Sequence, residues 1–554
     1  MKRPLPLVTP WNEFYWTSGA DGRLRVQECG SCAALVHPPK PCCPHCRGSR
    51  IGIKETSGFG TLFGFTVSHR FRLPGLPAPY IVAQVALEDD PRVRLTTRLV
   101  DCAEDDLRLG MRMEVTFEHV EDVWLPLFRP AADQPERPAP LPEDEATPRR
   151  IRAMVRPPAR PGRKFEDDAV LSGIGRSVMG RRLMADPLSL TVEACRAAVA
   201  DAGLAMDDID GLSTWPGGGL EHGMGEGGVT ALEAALRVRP TWFNGGAETF
   251  GPGGSVIAAM LAVSAGLARH VLCFRTVWQS SHDLLLREGR LRPGGGGRVG
   301  GDMGWGMPFG ATSAAHTLAQ TAQRYFHRYG ATRETLGWIA LNQRANAALD
   351  PTAVYGDPMT MDDYLNARMI TTPFGLYDCD VPVDASVAVV VSAAETAGDL
   401  RVRPVRVEAT GTQIVERLEW DQSTSTHEPQ VFGPAAHLWT RTDLGPDDVD
   451  VAELYDGFSF NCLSWIEALG FCGIGEGKDF LDGGKNIARD GVLPLNTHGG
   501  QLSHGRTHGM GLVHEAVAQL RGDAGARQID GARVAVVSSG GLTPSGVMLL
   551  RADA

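Results

Sequence analysis

Four cysteines restrict what the N-terminus of this chain can become. They form two knuckles, Cys29-Gly-Ser-Cys32 and Cys43-Pro-His-Cys46, separated by ten residues. Each knuckle supplies two thiolates from one tight turn, and two such turns make the soft tetrahedral set that zinc requires. A lone CxxC can be a redox pair, so it is the pairing that specifies a metal. A four-thiolate site has no open coordination position, so Cys29, Cys32, Cys43 and Cys46 are expected to hold a structural zinc that folds the segment. Cys42 and His45 lie between ligands and are expected to bind nothing. The remaining cysteines are scattered, which suits reduced thiols and a cytoplasmic protein rather than a disulfide framework.

The stretches TLFGFTVSHRF, YIVAQVALED, VRLTTRLV and MEVTFEHV each read as a strand, rich in Val, Thr and Phe. Short strands at this spacing suggest a small barrel or sandwich. Residues 131–164 are dense in Pro, Ala and charge, a linker composition that sets the domain boundary. Beyond it the rhythm changes. DDAVLSGIG reads as a strand and SLTVEACRAAVADAGL as an amphipathic helix with Leu190, Ala194, Ala198 and Leu204 near one face. SVIAAMLAVSAGLA is apolar nearly all round and is expected to be deeply buried. HVLCFRTV, VAVVVSAA and ARVAVVSSG are continuous apolar strands, so the domain is α/β with its sheets covered on both faces. The Gly-rich stretch 285–312 reads as a long loop near the active site or a dimer contact.

At 554 residues the chain exceeds one compact core. Its net charge of −12 argues against a nucleic-acid partner. No apolar run reaches the roughly 18–20 residues of a membrane span, and MKRPLPLVTPWNEFYW lacks the apolar core of a signal peptide.

Two segments carry a family resemblance. The ribbon followed by SGFGTLFGFT, PYIVAQVALED, GMRMEVTFE and WLPLFRP resembles the rubredoxin-like zinc ribbon (1–50) and OB-fold (51–130) found beside acyl-CoA-handling thiolase-like proteins. PFGLYDCDVPVDASVAVVVSAAE, DVDVAELYDGFSFNCLSWIEALGFCGIGEG, LPLNTHGGQLSHGRTHGMGLVHEAVAQLRG and ARVAVVSSGG resemble the thiolase superfamily, in the branch of sterol carrier protein x and the lipid-transfer proteins. The resemblance implies a layered αβαβα thiolase fold over 165–554, with similar halves at about 165–400 and 401–554. It also implies an acyl-CoA substrate and a homodimer. Arg-rich stretches such as LREGRLRPGGGGR then become candidates for the CoA phosphates, because Arg suits phosphate geometry.

The departures from that family bear on the chemistry. Thiolases place an acylated cysteine just before the buried helix; here the run is ETFGPGGSVIAAM, with Gly251 in the cysteine's place. Glycine cannot form an acyl-enzyme. The family's activating Gly-His-Pro is Gly505-Arg506-Thr507, and Arg506 cannot take up a proton. Its HDCF/NEAF-type His or Asn is Tyr455. A tyrosine at that position resembles the steroid side-chain aldolases, which lack the cysteine and work with a zinc-ribbon/OB partner. The reaction this implies is retro-aldol cleavage of a β-hydroxyacyl-CoA, needing a base, a stabilised thioester enolate and a proton for the α-carbon, but no covalent nucleophile. Tyr455 is then the first candidate for proton transfer, provided a cation such as Arg506 lowers its pKa from near ~10. In those aldolases a second tyrosine stands where this chain has Arg506. His508, then His498, are candidates to take over, since histidine titrates near working pH. Gly251, Gly499, Gly500 and His504 are candidate substrate-lining positions. Tyr377 is a further candidate, while Asp378, Cys379, Asp384, Glu453 and Asp456 lie in the same runs with packing or loop anchoring as their ordinary use. Two further readings stay open: an acyltransferase variant with a substitute nucleophile such as Cys379, and a non-catalytic acyl-CoA or lipid-binding scaffold.

Overall fold

Strands Arg25–Cys29, Leu35–Val36 and Ile51–Glu55 form a three-stranded antiparallel sheet that carries the knuckles. The computed structural model describes residues 3–70, 75–135, 137–142, 148–158, 162, 164–215, 223–291, 297–415, 422–540 and 544–553. The ribbon leads into strands Phe59–Ser68, Tyr80–Leu87, Arg94–Leu99, Arg112–Val120 and Val123–Pro130. The first and fourth of these pair through Phe59↔Glu114, Gly60↔Met113 and Thr61↔Arg112, which closes a five-stranded barrel around Leu62, Val85, Leu95, Met113, Leu125 and Phe128.

The barrel is not an independent body. A register slip between Leu62 and Gly64 coincides with Phe63 lying under the guanidinium of Arg324, 4.4 Å from the ring centre, the kind of re-aiming a bulge produces. Thr66, Ser68 and Gln84 on its strands are polar yet fully buried. Such groups need partners, and the large domain supplies them. The Thr66 and Thr371 hydroxyls lie 2.6 Å apart, Ser68 Oγ is 3.1 Å from His316 Nε2, and Arg324 donates to Gln84 Oε1 at 3.2 Å. Strands Met369–Thr371 and Phe374–Gly375 extend the barrel sheet to seven strands through the Thr371↔Ser68 pair.

The described part of the Gly-rich stretch 285–312 serves the same junction. Arg298–Val299 pairs in parallel with Leu5–Pro6, and Trp305 stacks on Trp16 with ring centres 4.9 Å apart. Arg298 is held by Glu121 at 3.1 Å and by Asp122. Residues 292–296, the centre of the stretch read as phosphate-binding, lie outside the described residues. In the Pro-rich segment 131–164, helix Pro148–Met154 buries Ile151 in the core of the large domain, and the Met154 carbonyl accepts from Gln413 Nε2 at 2.9 Å. Residues 136, 143–147, 159–161 and 163 of that segment lie outside the described set.

The large domain is built on nine strands in the order Trp242–Asn244, Gly211–Thr214, His270–Trp278, Asp384–Ala393, Ala169–Arg176, Val405–Gly411, Gly546–Ala552, Val534–Ser539 and Val451–Glu453. The first five belong to one half and the last four to the other. Helices Gly251–Ser264 and Met510–Arg521 each pack against strands of both halves, so they form the central layer. Pro187–Ala202 covers the outer face of the first half, and Phe432–Leu438 covers the second, with Ser459–Leu469 packed on it. This gives the expected αβαβα layering. Gly251–Ser264 is buried along nearly its whole length, as its unbroken apolar sequence requires. Among the described residues no helix is long and apolar enough to cross a membrane.

Candidate active site

The central helix begins at Gly251, whose φ is +61°. A Cβ built there would stand 2.8 Å from Ser539 Oγ, 3.5 Å from Gly540 N and 3.6 Å from the His508 carbonyl oxygen. Three segments therefore converge where a thiolase carries its sulfur, and Ser539 occupies the space. Its hydroxyl accepts a hydrogen bond from Gly253 N–H at 3.3 Å. A side chain at 251 would need a left-handed backbone and a displaced Ser539.

Tyr455 stands beside this point. Its backbone N–H donates to Ser538 Oγ at 2.8 Å, and its ring packs closely on Gly457. Burial pushes the phenol pKa up and the charge of Asp380 adds to the rise, while Arg506 offsets only part of it. Tyr455 is thus held as a neutral phenol. Arg506 acts in the anticipated direction but is outweighed.

Asp380, which sequence reasoning passed over, is the carboxylate of this cluster. Its Oδ2 lies 3.0 Å from Arg506 Nε. Burial raises its pKa to about 6 against the opposing pull of Arg506, so it is mostly ionised at pH 7. The aspartates around it are fully engaged in structure. Asp378 accepts from Tyr364 OH (2.6 Å), Ser459 Oγ (2.6 Å) and Gly375 N–H (2.8 Å). Asp384 accepts from Ser281 N–H (2.9 Å), Ser281 Oγ (2.6 Å) and Leu183 N–H (2.8 Å). Burial pushes the Cys379 thiol well above its ordinary pKa, which opposes formation of a nucleophilic thiolate. Tyr377 lies under Arg344, 4.9 Å from its ring centre.

His508 sits between two guanidinium groups. Arg275 Nη2 and Nε reach its Nδ1 at 2.8 and 3.2 Å, and Arg506 Nε reaches its Nε2 at 3.0 Å. Burial, then Arg506 and Arg275, hold its pKa well below the ordinary range. The ring is a neutral spacer that sets two cations on either side of itself. Arg275 is the second residue that sequence reasoning missed. It is fully buried in strand His270–Trp278, lies 5.1 Å from the centre of the Trp215 ring, and has its pKa lowered to about 9 by burial despite Glu226. An arginine inside a strand buried on both faces was the available signal.

The other two histidines are engaged elsewhere. His498 Nδ1 is 3.2 Å from Glu453 Oε2; burial works to lower its pKa, but Glu453 more than compensates and the net shift is upward. His504 Nε2 lies 3.3 Å from both Asp350 Oδ2 and Arg176 Nη1, and burial lowers its pKa to about 4. The two rings are 5.0 Å apart and belong to an ion network with Glu515 and Arg527. A Cβ on Gly499 would come 2.5 Å from Ala347 Cβ, and one on Gly500 would come 1.9 Å from Asp456 Oδ2. The paired glycines let this turn press on helix Arg333–Ala347 and let Asp456 accept from Gln501 N–H at 2.8 Å.

At the other end of the molecule, the four knuckle sulfurs lie within 4.8 Å of one another, with Cys29–Cys46 at 3.5 Å and Cys32–Cys43 at 3.7 Å. Zinc–sulfur bonds of about 2.3 Å in a tetrahedron place sulfurs about 3.8 Å apart. Ser31 N–H points at Cys29 Sγ at 3.4 Å. Cys29, Cys32, Cys43 and Cys46 therefore fit a structural zinc, which supplies cross-linking and no catalysis.

Comparison with known proteins agrees with both ends. Residues 16–51 match the model of the ChsH2 rubredoxin-like zinc ribbon domain, 54–118 the ChsH2 C-terminal OB-fold domain, and 422–550 a thiolase C-terminal domain-like family. The chain is 35% identical over 391 residues to the steroid side-chain-cleaving aldolase of Thermomonospora curvata, covering 69% of this chain and 97% of that one. It is equally 35% identical over 400 residues to the 17-hydroxy-3-oxo-4-pregnene-20-carboxyl-CoA lyase of Mycobacterium tuberculosis, covering 69% and 98%. Among solved structures, the Ltp2-ChsH2(DUF35) aldolase superposes with a TM-score of 0.62 at 31% identity, covering 70% of this chain and 99% of that chain. Human mitochondrial 3-ketoacyl-CoA thiolase, at 13% identity and a TM-score of 0.51, shares the fold, covering 71% of this chain and 100% of that chain. With a glycine in the nucleophile's place, a tyrosine beside it, and ribbon and barrel on the same polypeptide, this chain belongs to the thiolase-fold family of steroid side-chain-cleaving aldolases, carrying its ChsH2-type domains fused at the N-terminus.

Proposed function

We propose that the protein is a carbon–carbon lyase that cleaves a β-hydroxyacyl-CoA with a steroid or other bulky side chain, by retro-aldol reaction, into a ketone or aldehyde and a shorter acyl-CoA. The observation that carries this reading is the filled nucleophile slot. At Gly251 there is no side chain, and Ser539 Oγ stands 2.8 Å from where a Cβ would be, so the position carries no nucleophile to hold an acyl group. What the cluster retains is proton transfer and charge. In this reading the substrate hydroxyl gives its proton to the oxygen of Tyr455 as Tyr455 passes its own to Asp380, a carboxylate ionised at neutral pH. Arg506 and Arg275, set apart by His508, supply the positive field for the thioester oxygen as the enolate forms. The partly buried, un-ionised Cys379 gives no support to acyl transfer.

The test is a panel of β-hydroxyacyl-CoA thioesters with product detection by mass spectrometry. A shorter acyl-CoA is expected without added CoA; release that requires free CoA would return thiolysis. A homodimer fits the same reading. Strand Trp242–Asn244 ends the nine-stranded sheet with Phe243 66% exposed, an open edge of the kind that proteins cover. Sedimentation at micromolar concentration would show two chains per particle.

A further inference from the structure

Retro-aldol chemistry needs an acid as well as a base, because the α-carbon must be reprotonated once the C–C bond has broken. We propose that Glu428 is that acid, a catalytic residue whose Oε1–H delivers the proton to the α-carbon of the enolate. The proposal rests on the lyase reading above.

Glu428 is fully buried. Its backbone N–H donates to Ser464 Oγ at 3.2 Å. Its Oε2 accepts from Asn461 Nδ2 at 2.7 Å. The orientation of that amide is not arbitrary, because Asn461 Oδ1 is taken by Phe458 N–H at 2.8 Å. The Asn461 nitrogen therefore faces Glu428, Oε2 is the acceptor, and a proton on this carboxyl belongs on Oε1. Oε1 has no hydrogen-bond partner among the described residues. A buried polar atom left without a partner calls for an explanation, and a reacting substrate is one.

Its surroundings are those of the reaction centre. The Ser545 hydroxyl faces the carboxyl and, like Asn461, opposes the rise in its pKa, though it closes no hydrogen bond of ordinary geometry to Oε1. Ser545 Oγ lies 2.5 Å from where a Cβ on Gly540 would stand, and Gly540 N is 3.5 Å from the corresponding point on Gly251. Tyr455 feels the charge of both Asp380 and Glu428. Among the described residues the groups around Glu428 are thus Asn461 and Ser464 from one helix, Ser545 just ahead of the last strand, and Tyr455, and none of these is a cation. Asp380, by contrast, has Arg506. Two carboxyls in one site with unlike surroundings take opposite roles. The one with the guanidinium ionises first, while burial pushes Glu428 up to about 8 and keeps it protonated at pH 7.

The step balances. The β-hydroxyl proton leaves to the Tyr455–Asp380 pair, the Cα–Cβ bond breaks, and its electron pair becomes the thioester enolate while Cβ–O becomes a carbonyl. The Glu428 Oε1–H bond then breaks and its proton joins the α-carbon. Glu428 is left ionised and Asp380 protonated, and one proton passing between them through solvent after product release resets both.

The experiment compares wild type, Glu428→Gln and Glu428→Asp on a cleaved β-hydroxyacyl-CoA and, separately, on the shorter acyl-CoA product in deuterium oxide. Glu428→Gln keeps the acceptor for Asn461 and removes the proton. It is expected to lower kcat by about 10²–10⁴-fold, to slow exchange of the product's α-hydrogens to a similar degree, and to leave KM within a few-fold. Wild-type kcat is expected to fall on the alkaline side near pH 8, with that limb displaced in Glu428→Asp. Wild-type exchange or cleavage rates in Glu428→Gln would overturn the proposal, as would an unmoved alkaline limb in folded Glu428→Asp should the glutamine variant fail to fold. A wild type that cleaves none of the thioesters would overturn the lyase reading itself.

Discussion

Replacing Gly251 with alanine isolates the feature that separates this site from an acyl-transferring one. The new methyl meets two costs that can be estimated separately. At φ +61° a non-glycine backbone is disfavoured by about 1 kcal/mol. The Cβ also lands 2.8 Å from Ser539 Oγ, so the hydroxyl must turn away and release the Gly253 N–H it accepts at 3.3 Å. A buried donor losing its partner costs about 1–3 kcal/mol. Gly251→Ala is therefore expected to destabilise by roughly 2–4 kcal/mol in urea or thermal unfolding. In a Ser539→Ala background the steric part is absent, and the same substitution should cost only about the 1 kcal/mol of the backbone. Equal costs in both backgrounds, or a cost below about 0.5 kcal/mol in the first, would refute the claim that Ser539 fills the slot. Gly251→Cys carries the same burden and is expected to trap no acyl group from an acyl-CoA.

Tyr455→Phe should leave unfolding curves unchanged and reduce turnover by about 10²–10⁴-fold; unaltered turnover would remove Tyr455 from the proton path. Asp380→Asn should abolish turnover yet stabilise the fold. Raising this carboxyl from 3.8 to about 6 means that the ionised form penalises the folded state by about 3 kcal/mol at pH 7. Because the folded-state pKa lies above the unfolded one, the penalty is complete above pH 6 and vanishes as pH falls toward 4. The variant's thermal advantage should follow that course, and a pH-independent difference would contradict it. Chelating zinc from the four thiols should unfold the ribbon and lower the melting temperature by several degrees. It should also disturb the fluorescence of Trp305, since His37 of the ribbon lies 5.0 Å from that ring. An unchanged melting curve after verified metal loss would show the site to be dispensable.

What could be seen in the sequence is what depends on neighbours along the chain. The knuckle spacing, the apolar strands and the unbroken apolar helix are local patterns, and the structure realises each of them. Gly251 and Tyr455 were legible because they stand at fixed offsets from those elements. Asp380 was not, because it shares a seven-residue run with Asp378 and Asp384; only the donors arriving from distant segments distinguish the two anchors from the carboxylate left for Arg506. Arg275 and Glu428 were hidden for the same reason, since burial of a charge is a property of the assembled core. The stretch after residue 285 looked like a loop for ligand or partner. Its described part instead grips the N-terminal domain through Arg298 and Trp305, contacts that no local pattern announces.

The hairpin Met369–Gly375 hydrogen-bonds to the barrel strand ending at Ser68, and Asp380 follows it directly along the chain. The anchoring of the carboxylate proposed to accept the proton thus begins in the accessory module, and on that proposal loosening the module would blunt catalysis before it unfolded anything. Joining both on one polypeptide has a practical outcome. Where such modules are separate chains, dilution separates them; here every molecule made carries its own, and specific activity should stay constant down to the lowest concentration at which it can be measured.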